Sequence, residues 1–164
     1  MPTNAQNSQL LSDKLALSLA LFGYVPFLAL TLAVGPLNGI LAGWASQFSL
    51  PFWFFAHVLT VYGAVILSFL GGIRWGVAMV GHGAQKMRQT ELVLSVMPSL
   101  LGWAAVFMPR AEALYFLSAC FIVQGIWDYR LTQSGRAPRW FKKLRILLTV
   151  LVSATLGVAG LWAG

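Results

Sequence analysis

The sequence predicts an all-α integral membrane bundle of five transmembrane helices, with the N-terminus cytoplasmic and the C-terminus outside. Three observations predict it. First, 59% of the 164 residues are apolar and 9% are charged, where a soluble domain is about a quarter charged; mean hydropathy is +0.77. Second, five runs are each apolar enough to cross a hydrocarbon core about 30 Å thick, which takes about 20 residues of helix. Third, Lys and Arg crowd onto one side of these runs. Backbone amides in lipid must be paired within the span, so continuous apolar runs mean helices. A barrel would alternate polar and apolar residues in strands of about 10, and nothing here alternates. A single domain over residues 1–164 is expected.

The first run covers about 15–34. Pro26 near its middle removes a backbone donor and predicts a kink. The N-terminal stretch MPTNAQNSQLLSDKLALSLALFGYVPF is a poor signal peptide, because its apolar run is too long and no clean small-residue cleavage site follows. It also lacks the Arg-rich character of a mitochondrial presequence, so the first span is expected to be retained. Residues 35–52 (GPLNGILAGWASQFSLPF) are uncharged, moderately apolar and bounded by Pro36 and Pro51. They predict an interfacial helix over about 37–50. The second span covers about 53–75, with an apolar pattern running on to Val80, as in a tilted helix or one that extends into the cytoplasm. Spans three and four, about 92–108 and 113–129, are joined by the short MPRAEA turn and predict an antiparallel hairpin. Pro98 interrupts the third as a packing kink or as a hinge lining a cavity. A basic cytoplasmic loop, 130–144, leads to the fifth span, about 145–163.

Orientation follows from the cations. The inner segments hold Lys14, Lys86, Arg88, Arg130, Arg136, Arg139, Lys142, Lys143 and Arg145, the outer side holds Arg110, and Arg74 lies at the second span. Nine against one is a strong positive-inside bias. Trp75, Trp127 and Trp140 fall near the inner interface and Trp44, Trp53 and Trp162 near the outer one, as an aromatic belt requires. The segment RLTQSGRAPRWFKKLR carries six cations and no acid. Arg136, Arg139, Lys142, Lys143 and Arg145 are therefore expected to contact anionic lipid at the cytoplasmic face. Docking of an acidic partner is the alternative. Orientation accounts for the excess charge, so no nucleic-acid partner is expected.

The polar residues inside the spans are the candidates for chemistry. Arg74 either snorkels to the headgroups or pairs with Asp128, which the topology places at a similar depth. Gln124 lies one turn before Asp128 on the same face, and Glu91, Ser95 and Ser99 share a face of the third helix. Glu91 also suits the N-terminal end of the helix dipole. The cluster Arg74, Glu91, Ser95, Ser99, Gln124 and Asp128 thus falls in the cytoplasmic half. It acts either as hydrogen-bonding glue between helices or as a ligand site or proton path. Close helix packing is expected at Ser68, Gly72 and Gly76 in the second span and at Gly157 and Gly160 in the fifth, where small residues let backbones approach. His57 and His82 fall on opposite sides of the membrane. Cys120 stands alone, so an internal disulfide is excluded. No residue spacing fits a metal site, a cofactor or a nucleophile–base pair.

Three stretches, FLGGIRWGVAM, LSVMPSLLGWAA and FIVQGIWDYR, carry a family likeness through Gly71, Gly72, Trp75, Gly76, Pro98, Ser99, Trp103 and Asp128. Across about residues 16–163 the chain resembles the transmembrane protein 69-like family, of unknown function and found in bacteria and mitochondria. The resemblance implies a multi-span inner-membrane protein, bacterial or mitochondrial, and brings no activity with it. From its short length and small-residue faces the chain is expected to be non-enzymatic. It would act through helix–helix contacts with membrane-protein partners, lipids or a second copy of itself. The alternative is a carrier or binder of a small amphipathic or anionic molecule at the inner polar cluster.

Overall fold

A computed structural model describes residues 14–47, 53–80, 85–133 and 139–164. Among these every regular element is a helix. A first helical stretch, 14–22, leads through a turn into α1 (Val25–Val34), followed by α2 (Asn38–Gln47), α3 (Phe54–Val80), α4 (Gln85–Ala105), α5 (Arg110–Gln133) and α6 (Arg139–Ala163). Three stretches are long and apolar enough to cross a membrane: Lys14–Val34, Phe54–Val80 and Lys142–Ala163.

The distribution of residue types is inverted relative to a water-soluble bundle. Leu, Val, Phe and Trp side chains such as Phe22, Phe69, Val80, Trp103, Phe107 and Leu161 are exposed, while Arg74, Ser95, Gln124, Asp128, Arg145, Ser153 and Thr155 are buried. Such an exterior matches hydrocarbon, and polar side chains inside it find partners on neighbouring helices.

The first span is kinked next to Pro26, as expected, and Tyr24 at the kink keeps a right-handed helical backbone (φ −81°, ψ −26°). The kink falls at Gly23–Tyr24, and Pro26 sits in the first turn of α1. Proline is tolerated there because first-turn amides have no intrahelical partner to lose. The carbonyl of Gly23 at the kink accepts the Tyr62 hydroxyl at 2.8 Å, and Tyr24 and Thr155 share a hydroxyl hydrogen bond of 2.8 Å. Those two bonds tie the kinked span to α3 and α6. Phe27 then stacks edge-on against Tyr62 and Phe121, with ring centroids 5.0 and 5.8 Å apart, and forms the centre of the core with Leu59, Leu117 and Leu156.

α2 packs only lightly, on α1. Its 10 residues span about 15 Å at 1.5 Å per residue, too short to cross a bilayer. The remainder of the expected 37–50 helix, residues 48–50, lies outside the described residues. α4 unwinds over Val106–Met108 through short-range backbone bonds, and Pro109 then opens α5.

α3 shows how the packing is phased. Thr60, Ala64, Leu67, Gly71, Arg74 and Ala78, spaced alternately by three and four, are all buried. That spacing keeps one seam turned inward along the whole helix. On this seam a Cβ added to Gly71 would come within 2.5 Å of the Ser95 carbonyl, and one added to Gly102 within 3.0 Å of the Ala64 carbonyl. Gly71 and Gly102 therefore hold α3 and α4 together. The close packing expected at Gly72 and Gly76 is not found among the described residues: both are exposed, with nothing within 4 Å of an added Cβ. The reason is phase, since they lie one and five residues past Gly71 and turn outward. Gly157 likewise meets nothing, whereas Gly160 packs against the Tyr115 ring as expected. Ser68 donates to Ala64 in its own helix at 2.8 Å.

α5 and α6 form a second tightly packed antiparallel pair. Tyr115 sits on Gly160, the Ser118 hydroxyl donates to the Ser153 carbonyl at 2.8 Å, and Thr149 covers Gly125. The expected hairpin of α4 with α5 is antiparallel and short-looped, yet these helices pack sparsely, because the extensive partners are α3 for α4 and α6 for α5.

Candidate functional site

The inner stripe of α5 runs Leu114, Leu117, Phe121, Gln124, Asp128, all buried. The helical repeat that buries the leucines thus also carries a carboxylate inside. Asp128 is 4% exposed and both its oxygens are engaged. Gln124 Nε2 donates to Oδ1 at 3.1 Å, and Arg145 Nε donates to Oδ2 at 2.5 Å. Arg74 Nε stands 4.0 Å from Oδ1, and its guanidinium lies 4.0 Å above the centroid of the Trp127 ring. A planar, delocalised guanidinium is suited to such stacking. The cluster joins α3, α5 and α6 at the end of the bundle that carries most of the cations.

Arg145 was expected on lipid headgroups with the rest of the basic segment. It is instead 7% exposed and is the nearest partner of Asp128. The correction has a simple geometric cause. Asp128 and Arg145 flank the loop of an antiparallel hairpin, and that pairing brings them opposite each other. Lys142 lies 4.6 Å from the Tyr129 ring centroid, and Lys143 is exposed. Arg136 and the side chain of Arg139 lie outside the described residues, as does His82.

The third-helix candidates divide. The buried Ser95 hydroxyl donates to the Leu92 carbonyl at 2.7 Å and is thus satisfied within α4. Ser99 and Glu91 are half-buried on the same helix. Pro98 is buried against Gly71 and lines a groove, so packing and cavity lining coincide at one residue.

That groove lies between α4 and α5, with Leu67 of α3 at its floor, and has a volume of 670 Å³. Its walls are apolar (Leu94, Met97, Leu101, Phe116, Val123 and Ile126), with Gln124 near the middle and Trp127 and Arg130 at one end. A smaller cavity of 240 Å³ separates the first helical stretch from α3 and α6, and Arg145 is the charged residue in its lining. Arg145 Nη2 is buried there without a hydrogen-bond partner among the described residues. The cluster thus borders both spaces, through Gln124 and the Trp127 ring on the groove and through Arg145 on the smaller cavity. No group of three His, Cys, Asp or Glu side chains converges among the described residues.

Sequence comparison agrees with the motifs. A family model described as "Protein of unknown function (DUF3429)" matches residues 12–161. The chain is 34% identical over 145 residues to Transmembrane protein 69 of Xenopus tropicalis, covering 85% of this chain and 51% of the relative. It is 34% identical over 143 residues to Transmembrane protein 69 of Mus musculus, covering 85% of this chain and 53% of that relative. The chain spans about half the length of the curated relatives it matches. No solved structure matches. The chain belongs to this family of unknown function, the transmembrane protein 69-like family to which its Gly-Gly, Pro-Ser and Asp-ended helices pointed.

Proposed function

We propose that this chain is a five-span inner-membrane protein, bacterial or mitochondrial, that works without catalysis by binding membrane-protein partners through helix–helix contacts. α4 and α5 supply the two further spans. At 21 and 24 residues they reach about 32 and 36 Å, enough for a hydrocarbon core of about 30 Å. The positive-inside bias supports a cytoplasmic N-terminus and an outer C-terminus. The names of the frog and mouse relatives agree with a membrane setting.

One observation carries the binding reading. Gly72 and Gly76 form a small-residue pair on α3 that no part of the described chain covers, flanked by the exposed Phe69, Trp75 and Met79. Small residues four apart let a second helix approach at backbone distance. The test is a photo-crosslinker at Met79 in cells, with and without Gly72→Leu/Gly76→Leu. Loss of discrete crosslinked products in the double variant, at unchanged protein yield, is expected. Products of equal intensity from both forms would sink the reading.

A second reading, a binder of a small amphipathic or anionic molecule, has separate support in the α4–α5 groove and the cationic cluster beside it.

A further inference from the structure

We propose that the groove between α4 and α5 holds one acyl chain of an anionic phospholipid, with the phosphate head group at its Arg130 end. The inference narrows the second reading above and is independent of the glycine face.

Shape comes first. A volume of 670 Å³ falls within the range of about 300–1,000 Å³ usual for small-molecule sites. A helix about 20 Å long and about 10–12 Å across with side chains needs more than twice that volume. On α5 the lining runs from Phe116 to Arg130, about 21 Å at 1.5 Å per residue. One leaflet of the hydrocarbon core is about 15 Å deep, so a chain entering at the Arg130 end has room to lie along the groove. Leu94, Met97, Leu101, Val123 and Ile126 are partly exposed along its open side, so a lipid tail enters sideways without crossing the protein.

Charge then selects the head group. Trp127 and the charged Arg130 stand at one end of the lining, with Gln124 near its middle. Arg130 is the charged side chain of the lining at that end, and the Arg74 guanidinium lies over the Trp127 ring beside it. Gln124 is tied to Asp128. The exposed Arg130 stands at the mouth, where a guanidinium suits a bidentate phosphate contact. An anionic head group there offsets the cationic charge, and its tail replaces disordered lipid against the splayed helices.

The full chain, extracted in mild detergent, is equilibrated with equal amounts of phosphatidylglycerol and phosphatidylcholine and examined by native mass spectrometry. One retained phosphatidylglycerol per chain is expected. Ala119→Trp and Met97→Trp, which fill the groove from opposite walls, are expected to abolish retention. Val158→Trp, an exposed position on α6 outside the groove lining, leaves it unchanged. Arg130→Gln lowers the preference for phosphatidylglycerol about fivefold, the effect of removing one cation near a membrane surface. Thermal melting of each variant separates a filled groove from a misfolded chain, and the two filling variants guard against the failure of either. Retention unaffected by both fillings overturns the proposal, as does equal retention of the two lipids. A free long-chain carboxylate retained in place of phospholipid overturns the phospholipid assignment while leaving the broader binder reading standing. A protein crosslinked from position 119 in place of lipid overturns the site.

Discussion

The two hairpins α4–α5 and α5–α6 share a direction of travel and a helix, yet one is open and the other closed. Between α5 and α6, Gly125, Gly160 and Ser118 bring the backbones together and the Asp128–Arg145 pair seals the end. Between α4 and α5, Met97, Leu101, Phe116 and Val123 stand along a groove instead. The loop joining α4 to α5 is the shorter, so connectivity does not decide which helices close. In lipid, burying one leucine against another instead of against an acyl chain gains little, so small residues and polar bonds select the neighbours.

The most severe way to break the closed hairpin is to remove its carboxylate. Asp128→Ala removes the carboxylate that the buried Arg145 guanidinium faces, an expected loss of about 3–5 kcal/mol. Equilibrium unfolding in mixed micelles measures it, and an unchanged midpoint would remove the cluster from the account of stability. In double-mutant cycles with Asp128→Ala, Arg145 is expected to show the larger coupling, because it makes the 2.5 Å contact while Arg74 Nε stands at 4.0 Å and its guanidinium lies over Trp127. The reverse order would mean that Arg74 is the stronger partner of the carboxylate.

Steric closure comes next in size. Gly125→Leu forces its side chain into Thr149 and is expected to cost about 1–3 kcal/mol, the usual range for overpacking. Gly72→Leu meets open space and leaves the unfolding midpoint of the isolated chain in place. If the two leucines cost the same, the division into packed and open glycines fails. The smallest expected effect is Ser118→Ala, about 0.6 kcal/mol for one interhelical hydrogen bond, read from the same titration.

Much of this arrangement was legible in the sequence. The helices, the inward turn of Asp128 with Gln124 one turn before it, and the approach of Arg74 follow from apolar runs and helical spacing. Arg145 was not read correctly because orientation rules treat cations near a span end as one group. They carry no information about which cation turns inward. A signal was nonetheless present: Asp128 and Arg145 lie at opposite ends of the basic loop, where an antiparallel pair brings them together. The glycines failed for a related reason. The spacing of Gly72 and Gly76 marks a flat face but not the direction it faces, and Gly71, adjacent in sequence, took the contact. The α4–α5 groove was signalled in the sequence by Pro98 alone, since its extent is set by the competition of four helices for partners.

The inward seam of α3 has a consequence for how the chain tolerates insertions and deletions. From Thr60 to Ala78 the helix keeps a single phase, and Arg74 shares it with Gly71. Adding or deleting one residue between Gly71 and Arg74 rotates everything beyond it by about 100°. That turn carries the guanidinium away from the carboxylate toward lipid, at a cost below the roughly 2.5–3.5 kcal/mol of a cation at the centre of a spanning helix. Length changes are thus tolerated in the connecting segments but not within this helix, where spacing matters as much as residue identity.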